Sequence, residues 1–383
     1  MTHDLAASQR ETVHYIVASA TSDRLFSDNN FTILRWILAL SVVTGHAFMV
    51  VNEYEPIRLH DWTLSYLAVN AFFILSGLLI AKSLSTRECL FHFLVARTLR
   101  VLPGLLFVLL GLMLVFGPLF GDPNGLAFLS QSEPWEYVIS TLLMGDTLGA
   151  PGNVFNNNPE DLFNGSLWTI RYEMLAYALA AVGYFSGVLK GRWAVLTALI
   201  ISQAIYWGIK SPDIGNVVSG GIESLFRFTT VFLMGMTLWH FPILRKMGWA
   251  ALTLSIALFL LVGSQWIGET FANIALTAFL TTVGLNTPVS KRFSKIPDYS
   301  YGIYIWHYPL LQSAFTLFPD TSPIENFAIA LPVTLLVAAI SWCFVEKPSL
   351  RTVNWVSRQF KVSTRAIRPP RLFLRAKREL LNS

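Results

Sequence analysis

Three observations predict an all-α, polytopic membrane helix bundle of about ten spans with both termini in the cytoplasm. Charge is scarce, apolar residues come in blocks of spanning length, and lysine and arginine gather on one side. Of 383 residues, 54% are apolar and 13% charged, about half the charged share of a soluble domain. A soluble chain of this length would need charged surface on roughly two or three domains. That charge is missing.

The apolar blocks are about 17 to 22 residues long, the length that carries a helix across ~30 Å of hydrocarbon. They run over 31–51, 66–84, 101–119, 166–187, 193–209, 224–240, 249–265, 270–286, 299–318 and 325–344. The seventh and eighth read as a tight helical hairpin. The stretch 135–148 is too short to span and is expected to lie at the interface or to re-enter. The blocks form one membrane domain, 31–348, between an N-terminal segment, 1–30, and a basic tail, 349–383.

Orientation follows from the basic residues. With the N-terminus inside, 23 of the 28 lysines and arginines fall on cytoplasmic segments. Arg58 and Lys210 lie outside, and Arg35, Arg171 and Arg227 lie within spans. The connection 118–165 has no basic residue but holds Asp122, Glu133, Glu136, Asp146, Glu160 and Asp161. This is the asymmetry of the positive-inside rule. The net charge of +5 therefore reads as topology and contact with anionic membrane lipids rather than nucleic-acid binding. The first 30 residues show no cleavable signal pattern, so the first span is expected to remain as an anchor. Cys89 and Cys343 fall near cytoplasmic helix ends, where a reducing pool argues against a disulfide, and no metal-ligand spacing is present.

Ionisable groups inside a bilayer are costly, so each is a candidate for function. Arg35 and His46 are eleven residues apart, three turns plus ~20° of helix, and face the same way. Arg97 and Arg100 share a face at the start of the third span. Two guanidiniums there could hold a phosphorylated ligand by bidentate bonds, or serve as ordinary cytoplasmic-end arginines. Glu173 enters the fourth span from outside, with Tyr177 a turn further on. It could orient a histidine or an acceptor hydroxyl, or pair with Arg35 or Arg227. In the ninth span Ser300, Tyr304 and His307 form a polar stripe, fit for interhelical hydrogen bonds or for chemistry. Glu346-Lys347-Pro348 reads as a helix stop with a local salt bridge.

In order along the chain, six segments resemble the acyltransferase family 3 group, bacterial inner-membrane enzymes that O-acylate extracytoplasmic glycans and related acceptors. They are Leu34-Arg35…Gly45-His46, Asn70-Ala-Phe-Phe-Ile-Leu-Ser-Gly-Leu-Leu-Ile80, Arg97-x-x-Arg100-x-x-Pro103, Ser166-Leu-Trp-Thr-Ile-Arg-Tyr-Glu173, Ser300-Tyr-Gly-Ile-Tyr-Ile-Trp-His-Tyr-Pro309 and Val345-Glu-Lys-Pro348. The family more often has an acid where Asn70 stands. The resemblance implies an inner-membrane enzyme that moves an acyl group, acetyl above all, from cytoplasmic acyl-CoA to a hydroxyl of a glycan or lipid-linked saccharide. It implies His46 as the catalytic group, aided by Glu173, and Arg35, Arg97 and Arg100 as donor-handling residues. Trp168, Tyr304 and His307 are then assigned to substrate binding. The rival reading is a secondary transporter or flippase using the buried Arg, His and Glu as a substrate or proton pathway.

Overall fold

The computed structural model describes residues 29–86, 89–145, 147, 149–211, 218–288 and 296–353. The N-terminal segment up to residue 28 and the basic tail beyond 353 lie outside the described residues. Among the described residues, ten long helices fall on the ten apolar blocks. They are α1 (Phe31–Asn52), α2 (Leu64–Thr86), α3 (Leu90–Gly111), α5 (Ile170–Phe185), α6 (Arg192–Lys210), α7 (Gly220–His240), α8 (Trp249–Val262), α9 (Gly268–Gly284), α10 (Ser300–Leu317) and α11 (Pro323–Ser341). The short α4 (Glu133–Leu142) occupies the stretch set aside as too short to span. A two-stranded ribbon, β1 (Arg58–Leu59) with β2 (Trp62–Thr63), turns the chain from α1 into α2. Among the described residues, five helical stretches are long and apolar enough to cross a membrane: Phe31–Asn52, Leu64–Thr86, Leu90–Phe120, Arg192–Lys210 and Pro323–Val353.

Helix α2 is the axis of the bundle. It packs on α1, α7 and α9, and its faces bury Leu67, Asn70, Phe73, Ile74, Leu78 and Ala81. Where α2 crosses α7, each helix brings a glycine to the contact. A Cβ on Gly77 would run into the Phe232 carbonyl oxygen, and one on Gly235 into that of Ile74. Close backbone approach of this kind is how helices gain packing where no water drives them together. Gly235→Val is therefore expected to destabilise the protein by more than the ~1–3 kcal/mol of ordinary overpacking, read as a lower Tm and aggregation in detergent. An unchanged Tm would show that the two helices can separate without loss.

Two helices differ from the expected blocks. Helix α3 begins eleven residues before position 101, because the segment Leu90–Arg100 continues its apolar period through two arginines. Arg97 and Arg100 thus lie inside the helix rather than at its start, and Pro103 sits mid-helix. The helix runs on through a wider π turn, Leu112–Phe116, to Phe120. Helix α11 likewise continues through a π turn, Trp342–Glu346, to Val353. Glu346-Lys347-Pro348 is therefore not a stop. Glu346 is buried and accepts from Ser341 Oγ at 3.0 Å.

The connection before α5 does not stay on the surface. Asn158 Nδ2 donates to Gln312 Oε1 at 2.7 Å, Asn164 Nδ2 to the Ile305 carbonyl at 2.9 Å, and the Thr169 and Tyr304 hydroxyls pair at 2.7 Å. Each successive anchor on α10 is nearer that helix's N-terminus. From Gln312 to Tyr304 the chain descends about 12 Å along α10, and α5 starts deep in the bundle.

Candidate active site

Helices α1 and α10 lie side by side in parallel and in register. The indole of Trp36 donates to the Pro297 carbonyl at 3.1 Å, and His46 Nδ1 meets His307 Nε2 at 2.8 Å. Both pairs are 261 residues apart, so the helices do not slip between them. The result is two charged or titratable clusters on one helix pair. One sits at the end carrying the α1 N-terminus, called basal here, and the other about 16 Å further along.

The upper cluster is the histidine pair. Its rings are 5.0 Å apart and 21° from parallel, with the Tyr308 ring edge-on to His46 at 5.3 Å. His307 is fully buried and His46 half-buried. His307 Nδ1 lies 3.1 Å from the Ile303 carbonyl oxygen, an acceptor. That nitrogen therefore carries the hydrogen and donates, which leaves His307 Nε2 as an acceptor. His46 Nδ1 must then donate to it, and Nε2 of neutral His46 is left as a free lone pair. The Ile303 carbonyl thus sets the tautomer of His46 through His307.

Glu55 packs against the backbone at Gly45, where a Cβ would lie 2.5 Å from its Oε1. It is held by the Ser65 amide at 2.8 Å and hydroxyl at 2.5 Å. On the rim above, burial and the neighbouring Asp161 and Glu53 push the Glu160 carboxyl above its usual range.

The basal cluster surrounds a partly open cavity. Arg35 from α1, Arg97 and Arg100 from α3, Glu173 and Tyr177 from α5 and Ser300 from α10 line its lower part. Val69 and Phe72 from α2, Thr169, Ile170 and Tyr304 line its upper part. Asp298, just ahead of α10, bridges two of the arginines: its Oδ2 is 3.0 Å from Arg35 Nε and 3.2 Å from an Arg100 guanidinium nitrogen. Ser300 Oγ donates to its other oxygen at 2.6 Å. Burial would raise the Asp298 carboxyl, but the two guanidiniums and Ser300 outweigh it and hold the group below its ordinary range. Arg97 donates to Ser83 Oγ at 3.1 Å.

The expected site residues therefore separate into two groups. Arg35, Arg97, Arg100, Glu173 and Tyr304 line the cavity, while His46 and His307 form the pair above it. One expected placement changes. Glu173 accepts from the Tyr177 hydroxyl and faces the arginine cavity rather than the outer surface, because the preceding loop plunges before α5 begins. Its partner is Tyr177, and the partner of the His46 ring is His307. Glu173 does not pair with Arg35 or Arg227, whose carboxylate partners are Asp298 and Glu269. Trp168 is turned away from the cavity, against Tyr172 at 5.8 Å and Phe228 at 5.6 Å. Its neighbour Thr169 reaches the cavity instead. Asp298 escaped the sequence reading. An arginine inside a bilayer needs a counter-ion, and an acid two residues before the Ser300 stripe was the available signal.

Comparison with known proteins gives a consistent result. The model of the family described as "Acyltransferase domain" matches residues 28–345. An O-acetyl transferase of Shigella phage Sf6 is 24% identical over 332 residues, 84% of this chain and 96% of that protein. Nodulation protein 10 of Rhizobium leguminosarum bv. viciae is 24% identical over 375 residues, 88% of this chain and 97% of its own. O-acetyltransferase OatA of Staphylococcus aureus is 24% identical over 328 residues, 74% of this chain but 52% of OatA, so the chain spans about half of that protein. No solved structure matches the chain.

Proposed function

We propose, from the premise that this chain belongs to the membrane acyltransferase 3 family, that it moves an acetyl or similar acyl group from acyl-CoA to a hydroxyl of a glycan or lipid-linked saccharide on the opposite side of the membrane. The ten long helices cross the bilayer, with the basal end cytoplasmic and the histidine pair towards the outside of a bacterial inner membrane. The placement of basic residues supports that orientation. The observation that carries the reading is the pairing, on α1 and α10, of an arginine-lined cavity at the basal end with an oriented histidine base further up.

The cavity fits an anionic donor with an uncharged arm. Arg35, Arg97 and Arg100 offer guanidinium donors to phosphate oxygens, and the upper wall of Val69, Phe72 and Ile170 suits the less polar thioester end. The acceptor hydroxyl comes to His46 from above. His46 Nε2 takes its proton as the oxygen attacks the thioester carbonyl. Collapse of the tetrahedral intermediate forms the ester and breaks the carbon–sulfur bond, and the His46 proton passes to the departing thiolate. His307 Nε2 accepts the Nδ1 hydrogen of His46 throughout, so it holds the ring and stabilises the imidazolium.

The test compares ester-linked acyl groups on the surface glycans of null cells carrying wild-type or His46→Ala protein, with membrane levels matched and mass spectrometry as the readout. Acyl groups present with wild-type and absent with the variant support the transferase and begin to name its acceptor. Surface glycans identical in null and wild-type cells would contradict it and promote the transporter reading.

Asp298 gives a second check. Asp298→Asn leaves Arg35 and Arg100 to repel each other across the cavity floor. With charge-assisted bonds worth about 1.5–3 kcal/mol, the donor KM is expected to rise about ten- to a hundredfold while the acceptor KM stays constant. A fall in donor KM would mean that Asp298 competes with the donor rather than positioning its arginines.

A further inference from the structure

We infer that Tyr304, latched to Thr169 and flanked by Phe72, is the end wall of the donor cavity and restricts the transferred group to a short acyl chain. The inference rests on the reading of that cavity as the donor site. Charge sorts along the cavity. The arginines and Ser300 lie at its base, and Tyr304 stands one helical turn above Ser300, about 6 Å along α10. An anionic donor is thereby orientated with its phosphates down and its acyl end against the wall.

Two contacts brace the wall. The Tyr304 and Thr169 hydroxyls pair at 2.7 Å, and Phe72 meets the Tyr304 ring edge-on at 6.1 Å. Thr169 cannot give way easily. It follows the buried Asn164–Ser166 turn, in which the Asn164 side chain donates to the Ile305 carbonyl at 2.9 Å and accepts from Ser166 Oγ at 2.7 Å. On its other side the Tyr304 ring is 6.1 Å from the His307 ring. The same ring therefore bounds the acyl end and stands between it and the histidine pair, about 4.5 Å further along the helix. A two-carbon group needs the least displacement of that ring to reach His46. Each added methylene must be packed against it, and overpacking a filled site is unfavourable.

The experiment measures the binding of acetyl-CoA, butanoyl-CoA, octanoyl-CoA and free CoA to the purified full chain in nanodiscs. Acyl transfer by the same preparations is followed in parallel. Wild-type protein is expected to prefer acetyl-CoA over octanoyl-CoA by about tenfold or more. Tyr304→Ala removes the wall and is expected to bring the two within about threefold. Tyr304→Phe keeps the ring but loses the bond to Thr169, and is expected to leave a preference between those of wild-type protein and Tyr304→Ala. Phe72→Ala enlarges the same end from α2 and serves as the independent variant if Tyr304→Ala fails to fold. Equal binding of both lengths by wild-type protein, or an unchanged preference in the enlarged variants, would overturn this inference alone. Failure of wild-type protein to bind any of the four ligands would overturn the donor-site reading itself, and the inference with it.

Discussion

His46→Ala is expected to lower acyl transfer by about 10²–10⁴-fold, the usual contribution of a positioned general base, with no matching loss of folded protein. His46 is half-buried and His307 keeps its bond to the Ile303 carbonyl, so the variant leaves a small opening rather than a collapsed core. His307→Ala is a sharper probe of the arrangement. It touches no reacting atom, yet it frees the His46 ring to rotate and to take the other tautomer, which would put the hydrogen on the nitrogen that must act as base. A large fall in kcat is expected, with donor and acceptor KM almost unchanged. His307→Gln offers an acceptor oxygen to His46 Nδ1 and is expected to recover part of the rate. Matched turnover assays on purified protein read both. Full activity in His307→Ala would show that the tautomer needs no fixing.

Arg227→Met is expected to cost about 3–5 kcal/mol of stability, because breaking one half of a buried ion pair strands the other. Arg227 and Glu269 are 6% and 2% exposed and 3.8 Å apart. Asn70 lies between them. Its oxygen accepts from Arg227 Nε at 2.8 Å, and its amide donates to Glu269 Oε1 at 3.0 Å and Asn273 Oδ1 at 2.9 Å. Tyr206 donates to the other Glu269 oxygen at 2.5 Å, and the Arg227 guanidinium stacks 3.2 Å over the Tyr66 ring and donates to the Tyr66 carbonyl at 3.0 Å. The network ties α2, α6, α7 and α9 together. Adding Glu269→Gln to Arg227→Met removes the stranded charge and should restore much of the loss in thermal unfolding, with activity per folded molecule near wild-type in both. Additive losses in the double variant would mean that the pair is not coupled.

That network explains a departure visible in the sequence. Where the family more often has an acid, this chain has Asn70, which must donate to Glu269 and accept from Arg227 at once. A carboxylate can accept but not donate, so an acid at 70 would face Glu269 without a bridging hydrogen. The carboxylate partner for Arg227 comes instead from α9, and no pattern local to the second span could reveal it.

Hydropathy alone gave the ends of α1 to within a residue, because a helix bounded by polar loops on both sides has one place to start and stop. The shared face of Arg35 and His46 was legible for an equally local reason, since eleven residues are close to a whole number of turns. The start of α3 was hidden because Arg97 and Arg100 interrupt the apolar run, although their guanidiniums enter a cavity and leave the helix intact. The depth of Glu173 was hidden because it depends on Asn158 and Asn164 gripping α10, contacts separated by 154 and 141 residues. The His46–His307 bond joins positions 261 apart. Each histidine was visible, but their meeting required the register of two helices.

The central claim is that donor and acceptor are served from opposite ends of the α1–α10 pair. The most direct test supplies labelled acetyl-CoA to sealed inside-out and right-side-out membrane vesicles from cells expressing wild-type or His46→Ala protein, then measures label in base-labile ester linkage on glycan. Ester label is expected with wild-type protein in inside-out vesicles, where the proposed donor cavity faces the label, and none in right-side-out vesicles or with His46→Ala. Label that appears from the opposite face, or that survives the loss of His46, would contradict it.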